Sequence, residues 1–211
     1  MPSTYRLAIF TLFFLSGFSA LVYEILWARM LTLTFGSTIY AISVVAAVFM
    51  AGLAIGSWMF GFFIDRSKNL LRIYAALEVG IAVLALLFPP TLKLATDFHV
   101  WLERLVPFLY NYDTLLHLLV AAILLLPPTI LMGGTFPAMC RLFVQKQRSG
   151  EIGRLYATNT LGATLGALGC GFYLLPAIGL TWTNLVAVTL NLLIAASCYR
   201  LSSKIGAIHT Q

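Results

Sequence analysis

Six stretches of this chain are each long and apolar enough to cross a bilayer, and no other feature constrains the fold as strongly. Spanning the hydrocarbon core takes roughly 20 apolar residues in a helix. The stretches cover about 7–30, 38–63, 73–95, 115–140, 155–176 and 181–199. Hydrophobic residues make up 61% of the 211 and charged residues 9%, against about 45–50% and about 25% in soluble domains. A soluble fold of this size cannot hide so much apolar surface, which excludes a water-soluble enzyme. Disorder needs the opposite composition. Three widely spaced cysteines in a long chain do not make a disulfide scaffold. The expected class is all-α, a polytopic membrane bundle of six transmembrane helices forming one domain over 1–211.

Arg6 followed by an apolar run resembles a signal peptide at first sight. That run exceeds a usual h-region, has no small-x-small cleavage site and carries Glu24. A retained first span is therefore expected. The basic residues orient the rest. Arg6, the link with Arg66, Lys68 and Arg72, the link with Arg141, Lys146, Arg148 and Arg154, and the tail with Arg200 and Lys204 alternate with links holding only Arg29, Lys93 and Arg104. Ten cations against three place both termini in the cytoplasm by the positive-inside rule. The net charge of +6 is thus a topology signal. With no basic stripe and no interleaved aromatics it does not indicate nucleic acid.

In the longest outer link, Phe98, Trp101, Leu102 and Leu105 fall at i, i+3, i+4 and i+7. That spacing predicts a short amphipathic helix over 97–106, lying on the outer leaflet and ended by Pro107. Gly52 and Gly56 in the second stretch and Gly162 and Gly166 in the fifth form G-x-x-x-G steps that let helix backbones approach. Each lies in the middle helix of a three-helix set, which points to a three-plus-three inverted repeat. Pro89-Pro90 and Pro127-Pro128 are expected to kink or break the third and fourth spans.

No active site is legible. His99, His117 and His209 share no ligand spacing, and Cys140, Cys170 and Cys198 form no C-x-x-C pair, so no metal site is expected. Gly166, Gly169 and Gly171 have no preceding strand and read as packing residues, not as a nucleotide loop. The candidate intramembrane polar residues are Glu24, Arg29, Glu78 and Asn159. Buried carboxylates in a membrane are expensive and usually functional. Glu24 reads either as a cation or proton site or as a carboxylate bonded to a neighbouring helix. Arg29 is placed to snorkel outward, and Tyr23 with Trp27 reads as an interfacial aromatic anchor. Glu78 is expected to reach back to the cytoplasmic basic cluster. Asn159, Asn184 and Asn191 are candidates for interhelical hydrogen bonds.

Four strings carry a resemblance. They are residues 15–24 with Trp27 and Arg29 (LSGFSALVYE), residues 35–57 around FGST and FMAGLAIGS, residues 131–137 (LMGGTFP), and residues 153–163 (GRLYATNTLGA). Together they resemble the membrane domain of bacterial spermidine synthase-like membrane proteins. The resemblance implies an inner-membrane protein whose membrane part precedes a cytosolic Rossmann-type domain similar to aminopropyltransferases, hence a link to polyamine biosynthesis. No position in these residues matches that domain's strands, nucleotide loop or paired aspartates. The chain is therefore expected to be non-catalytic by itself and to need no cofactor. More loosely, Gly61, Asp65 and Arg66 resemble the helix 2–3 loop of major facilitator transporters, with Lys68 and Asn69 departing from that pattern.

The expected function is a membrane module that anchors or docks a partner, with a small amine as ligand. Two rivals are a half-transporter of major facilitator type working as a homodimer, and a structural subunit of a larger membrane complex. Asp65, Arg66, Arg148 and Arg154 are the candidate cytoplasmic latch or docking residues. The expected partners are membrane lipid and either a cytosolic synthase-like protein, other membrane subunits or a second copy.

Overall fold

The computed structural model describes residues 3–36, 39–65, 67, 69–106, 108, 113–144 and 149–208. They form helices throughout: α1 (Ser3–Phe35), α2 (Ile39–Asp65), α3 (Leu70–Leu105), α4 (Asp113–Val144), α5 (Ser149–Gly169), a π-helical turn (Cys170–Leu174) and α6 (Leu175–Ile208). Five segments are long and apolar enough to cross a membrane: Tyr5–Thr34, Ile42–Ile64, Leu70–Leu105, Leu115–Phe143 and Gly150–Lys204. Large apolar side chains such as Phe172 (73%), Ile123 and Trp58 (both 69%) are exposed on the outside, the pattern of a lipid-facing surface and not of a soluble one.

The fifth segment contains both the fifth and the sixth expected spans. Its 55 residues would reach about 80 Å as one straight helix at 1.5 Å per residue. Yet Leu155 and Cys198 belong to one buried cluster, so the chain turns back between them. Gly179 breaks the helical dihedrals there, with φ 71° and ψ −178°, a region open essentially to glycine alone.

Two buried clusters are stacked along the bundle. The first gathers Val22, Trp27, Phe49, Phe88, Leu125 and Val188. The second gathers Ile9, Ile64, Leu71, Met139, Leu155 and Cys198. The second therefore collects the start of α1, α3 and α5 and the end of α2, α4 and α6, which makes helices consecutive in the chain antiparallel and leaves α1 parallel to α5 and α2 parallel to α4. Here Arg6 of α1 pairs with Glu151 of α5 at 2.5 Å, and Arg72 of α3 lies over the Tyr199 ring of α6, 5.5 Å from its centroid. This is the basic end.

The most extensive pairings are α2 with α4 and α1 with α5, followed by α3 with α6 and with α4, and α1 with α6. Glycine makes the first two. A Cβ on Gly56 would strike the Ile130 backbone, and one on Gly133 would strike that of Leu53. Gly162 and Gly166 lie against the carbonyls of Phe14 and Phe18, and Gly17 against that of Asn159. Gly52 meets the Thr129 side chain.

Three expectations need correction. Residues 97–105 are no separate interfacial helix, because α3 runs on to Leu105 and its capping bond Val106 N–H to Leu102 O comes after the whole stripe. Tyr23 and Trp27 do not anchor at the membrane surface. Both are fully buried, stacked at 5.0 Å, with Trp27 stacked on Phe88 at 4.7 Å. The double prolines do not break α3 or α4, which both run on through them, and side chains take over carbonyls near them. Pro89 has no N–H for the carbonyl of Ala85, and Asn184 Nδ2 of α6 donates to that oxygen at 2.9 Å. Pro137 likewise frees Gly133, whose carbonyl accepts from Ser57 Oγ of α2 at 2.8 Å. Thr91 and Thr129, each directly after a double proline, donate to carbonyls of the preceding turn.

Candidate functional site

A cavity of about 220 Å³ lies partway along the bundle. Helix α1 contributes Ser16, Gly17 and Ser19, and α2 contributes Phe49, Leu53 and Ser57. Opposite them stand Met132, Gly133 and Thr135 of α4 and Tyr156, Asn159 and Ala163 of α5. The four strings singled out in the sequence thus meet around one space. Among the described residues, all of its lining except Ile81 of α3 and Asn191 of α6 comes from them. The glycines explain the shape: by drawing α1 onto α5 and α2 onto α4, they form two tight pairs with the cavity between.

Glu78 stands behind this lining. It is completely buried on α3, on a stripe with Leu71, Tyr74, Ile81, Ala85 and Phe88 that is spaced by threes and fours and turned to the core. Ser16 Oγ donates to its Oε1 at 2.6 Å, and Asn191 Nδ2 donates to its Oε2 at 2.7 Å. Tyr74 lies beside it on the same helix. Both hydrogen-bond donors also line the cavity, so a hydroxyl and an amide separate the carboxylate from the space. Asn191 keeps a second polar atom, Oδ1, buried and without a hydrogen-bond partner. Glu78 therefore does not reach back to the basic end, as expected from sequence, but bonds across to α1 and α6. The donors sit on the faces of α1 and α6 that α3 packs against, within direct reach.

The other candidates separate. Asn159 lines the cavity and packs against Gly17. Glu24 is half-buried outside the cavity, with Oε2 buried and without a hydrogen-bond partner. Arg29 is exposed, away from the cavity lining. Arg154 is exposed near the basic end. Arg66 and Arg148, and the side chain of Asp65, lie outside the described residues. The Arg6–Glu151 pair, with Glu151 buried, was not legible, because nothing in sequence spacing joins residues 145 apart. His99 and His117, unrelated by spacing, have ring centroids 4.5 Å apart. No family model, no curated protein and no solved structure matches this chain.

Proposed function

We propose that the chain is the membrane module of a spermidine synthase-like system. It receives a small polar solute in the central cavity and docks a cytosolic synthase-like partner at its basic end, without catalysing a reaction itself. The observation that carries this reading is the convergence of the four resembling strings on one cavity. The reading takes α5 and α6 as two crossings joined at Gly179, six in all, which leaves Arg6 and Arg200 on the cytoplasmic side.

A specific observation favours a second reading, a half-transporter working as a dimer. Exchange of α1, α2 and α3 for α4, α5 and α6 turns the α2–α4 pairing into α5–α1 and the α3–α4 pairing into α6–α1, and each of these is a main contact of the bundle. That symmetry of contacts supports a three-plus-three inverted repeat, an arrangement on which many transporters are built.

Purification from native membranes after cross-linking separates the two. An aminopropyltransferase-like protein cross-linked to the basic end supports the module. A homodimer that moves solute in proteoliposomes supports the half-transporter. A tag after Gln211 that is cut in intact spheroplasts, with a tag at Asn111 protected, overturns the topology in both.

A further inference from the structure

We infer that Glu78 makes the cavity an exchange site between a proton and a small organic cation of the primary-ammonium type. The inference rests on the reading of the cavity as a solute site and adds the charge exchange by which Glu78 would admit the small amine expected from the sequence.

Both oxygens of Glu78 accept hydrogen bonds, and both donors are neutral. Among the described residues no cationic side chain acts on it. Arg6 is paired with Glu151 and Arg72 rests on Tyr199, both at the basic end. The titratable groups in its field are Tyr23 of α1, Tyr74 of α3 and Cys198 of α6. None of these carries a positive charge, and among the described residues α4 contributes no titratable group to the field. An ionised carboxylate left alone at membrane depth is costly. Its charge must be balanced by a proton on the carboxylate or by a mobile cation next to it.

The cavity is where that cation fits. Among the described residues its lining has no cationic side chain and offers hydroxyl and amide oxygens from Ser19, Ser57, Thr135 and Asn159. The free Asn191 Oδ1 supplies a further acceptor beside the carboxylate. An ammonium donates up to three hydrogen bonds and accepts none, which matches such a lining. An anion would meet the field of Glu78 with nothing to offset it. The exchange balances simply. The protonated carboxyl gives up its proton through the Ser16 hydroxyl and cavity water to the aqueous phase. The ammonium enters with its charge and neutralises the carboxylate left behind. No covalent bond to the solute forms or breaks.

The experiment uses the full chain in nanodiscs, with n-butylammonium chloride as probe and 1-butanol as the neutral control. In weak buffer at mildly acidic pH the amine is expected to bind saturably and release up to one proton per molecule bound. Its affinity is expected to rise with pH, since ionised Glu78 is the binding form. Glu78→Gln is expected to abolish proton release and weaken amine binding at least tenfold, leaving 1-butanol binding unchanged. If Glu78→Gln does not fold, Ser16→Ala and Asn191→Ser replace it. Each is expected to weaken the amine severalfold and not the alcohol, and unchanged amine affinity in both overturns the inference. Amine binding without proton release, or equal affinity in Glu78→Gln, overturns it while leaving the cavity a solute site. Absence of binding by both probes overturns the inference and the solute-site reading together.

Discussion

The α1–α5 and α2–α4 interfaces are made of backbone, whereas the α3–α6 interface is made of side-chain amides. In the first two, Gly162, Gly166, Gly56 and Gly133 bring helix axes so close that a Cβ would strike a main-chain atom. In the third, Asn184 and Asn191 reach across to Ala85 O and Glu78. The difference shows two ways of holding helices together where burial from water is no longer the driving force. Close packing gains many weak dispersion contacts, and a polar bridge gains one directed bond. The cavity lies between the two backbone-made pairs, and the carboxylate behind it is held by the amide-made one. Packing thus defines the space, and polar bridging defines its chemistry.

The largest effect should come from the backbone interfaces. Gly162→Ile drives a branched side chain into the Phe14 carbonyl, and overpacking of this kind costs about 1–3 kcal/mol or more. Gly153→Ile, on the same helix but with open space around it, should cost far less. The readout is unfolding in mixed micelles monitored by circular dichroism. Equal losses for the two variants would mean that helix propensity, not close approach, sets the effect.

The amide interface should respond more weakly and in a coupled way. Asn184→Leu leaves the Ala85 carbonyl buried and unpaired, at about 1–2 kcal/mol. In a Pro89→Ala background the backbone N–H of residue 89 returns to that carbonyl, and the Asn184→Leu loss should shrink by more than half. Additive losses in the four-member cycle would show that Asn184 acts through some other contact.

The smallest effect belongs to the link between the two kinds of interface. Ser57 crosses from α2 to the Gly133 carbonyl freed by Pro137, inside a glycine-packed pair. Ser57→Ala should cost about 0.6 kcal/mol, the usual worth of one such bond in a membrane bundle. Pro137→Ala should again absorb it. A loss as large as that of Gly162→Ile would erase the distinction between the two interfaces.

The glycine steps were legible because they are local: a four-residue spacing on one helix states that something comes close, whatever that neighbour is. The polar site was only half legible. Glu24 and Glu78 look alike as lone carboxylates in apolar runs, and Glu78 was expected at the basic end. The stripe from Leu71 through Tyr74, Ile81 and Ala85 to Phe88 does place Glu78 on the core face of α3. It does not name Ser16 and Asn191, 62 and 113 residues away. The prolines behave the same way. Pro89 announces in sequence that the Ala85 carbonyl loses its partner, and no sequence rule says that Asn184 will take it.

The amino-acid sequence by itself determined the helical class, the apolar stretches, the glycine contact faces and the alternation of charge, since each is a property of neighbours three or four residues apart or of composition within one helix. Only the tertiary structure decided that the fifth and sixth stretches join at Gly179, that four distant strings enclose one cavity, and that Glu78 faces it through Ser16 and Asn191. Those outcomes depend on how each helix is rotated about its axis and which helix stands beside it. Rotation and order are set by the packing of all the helices at once, and no single stretch carries that information.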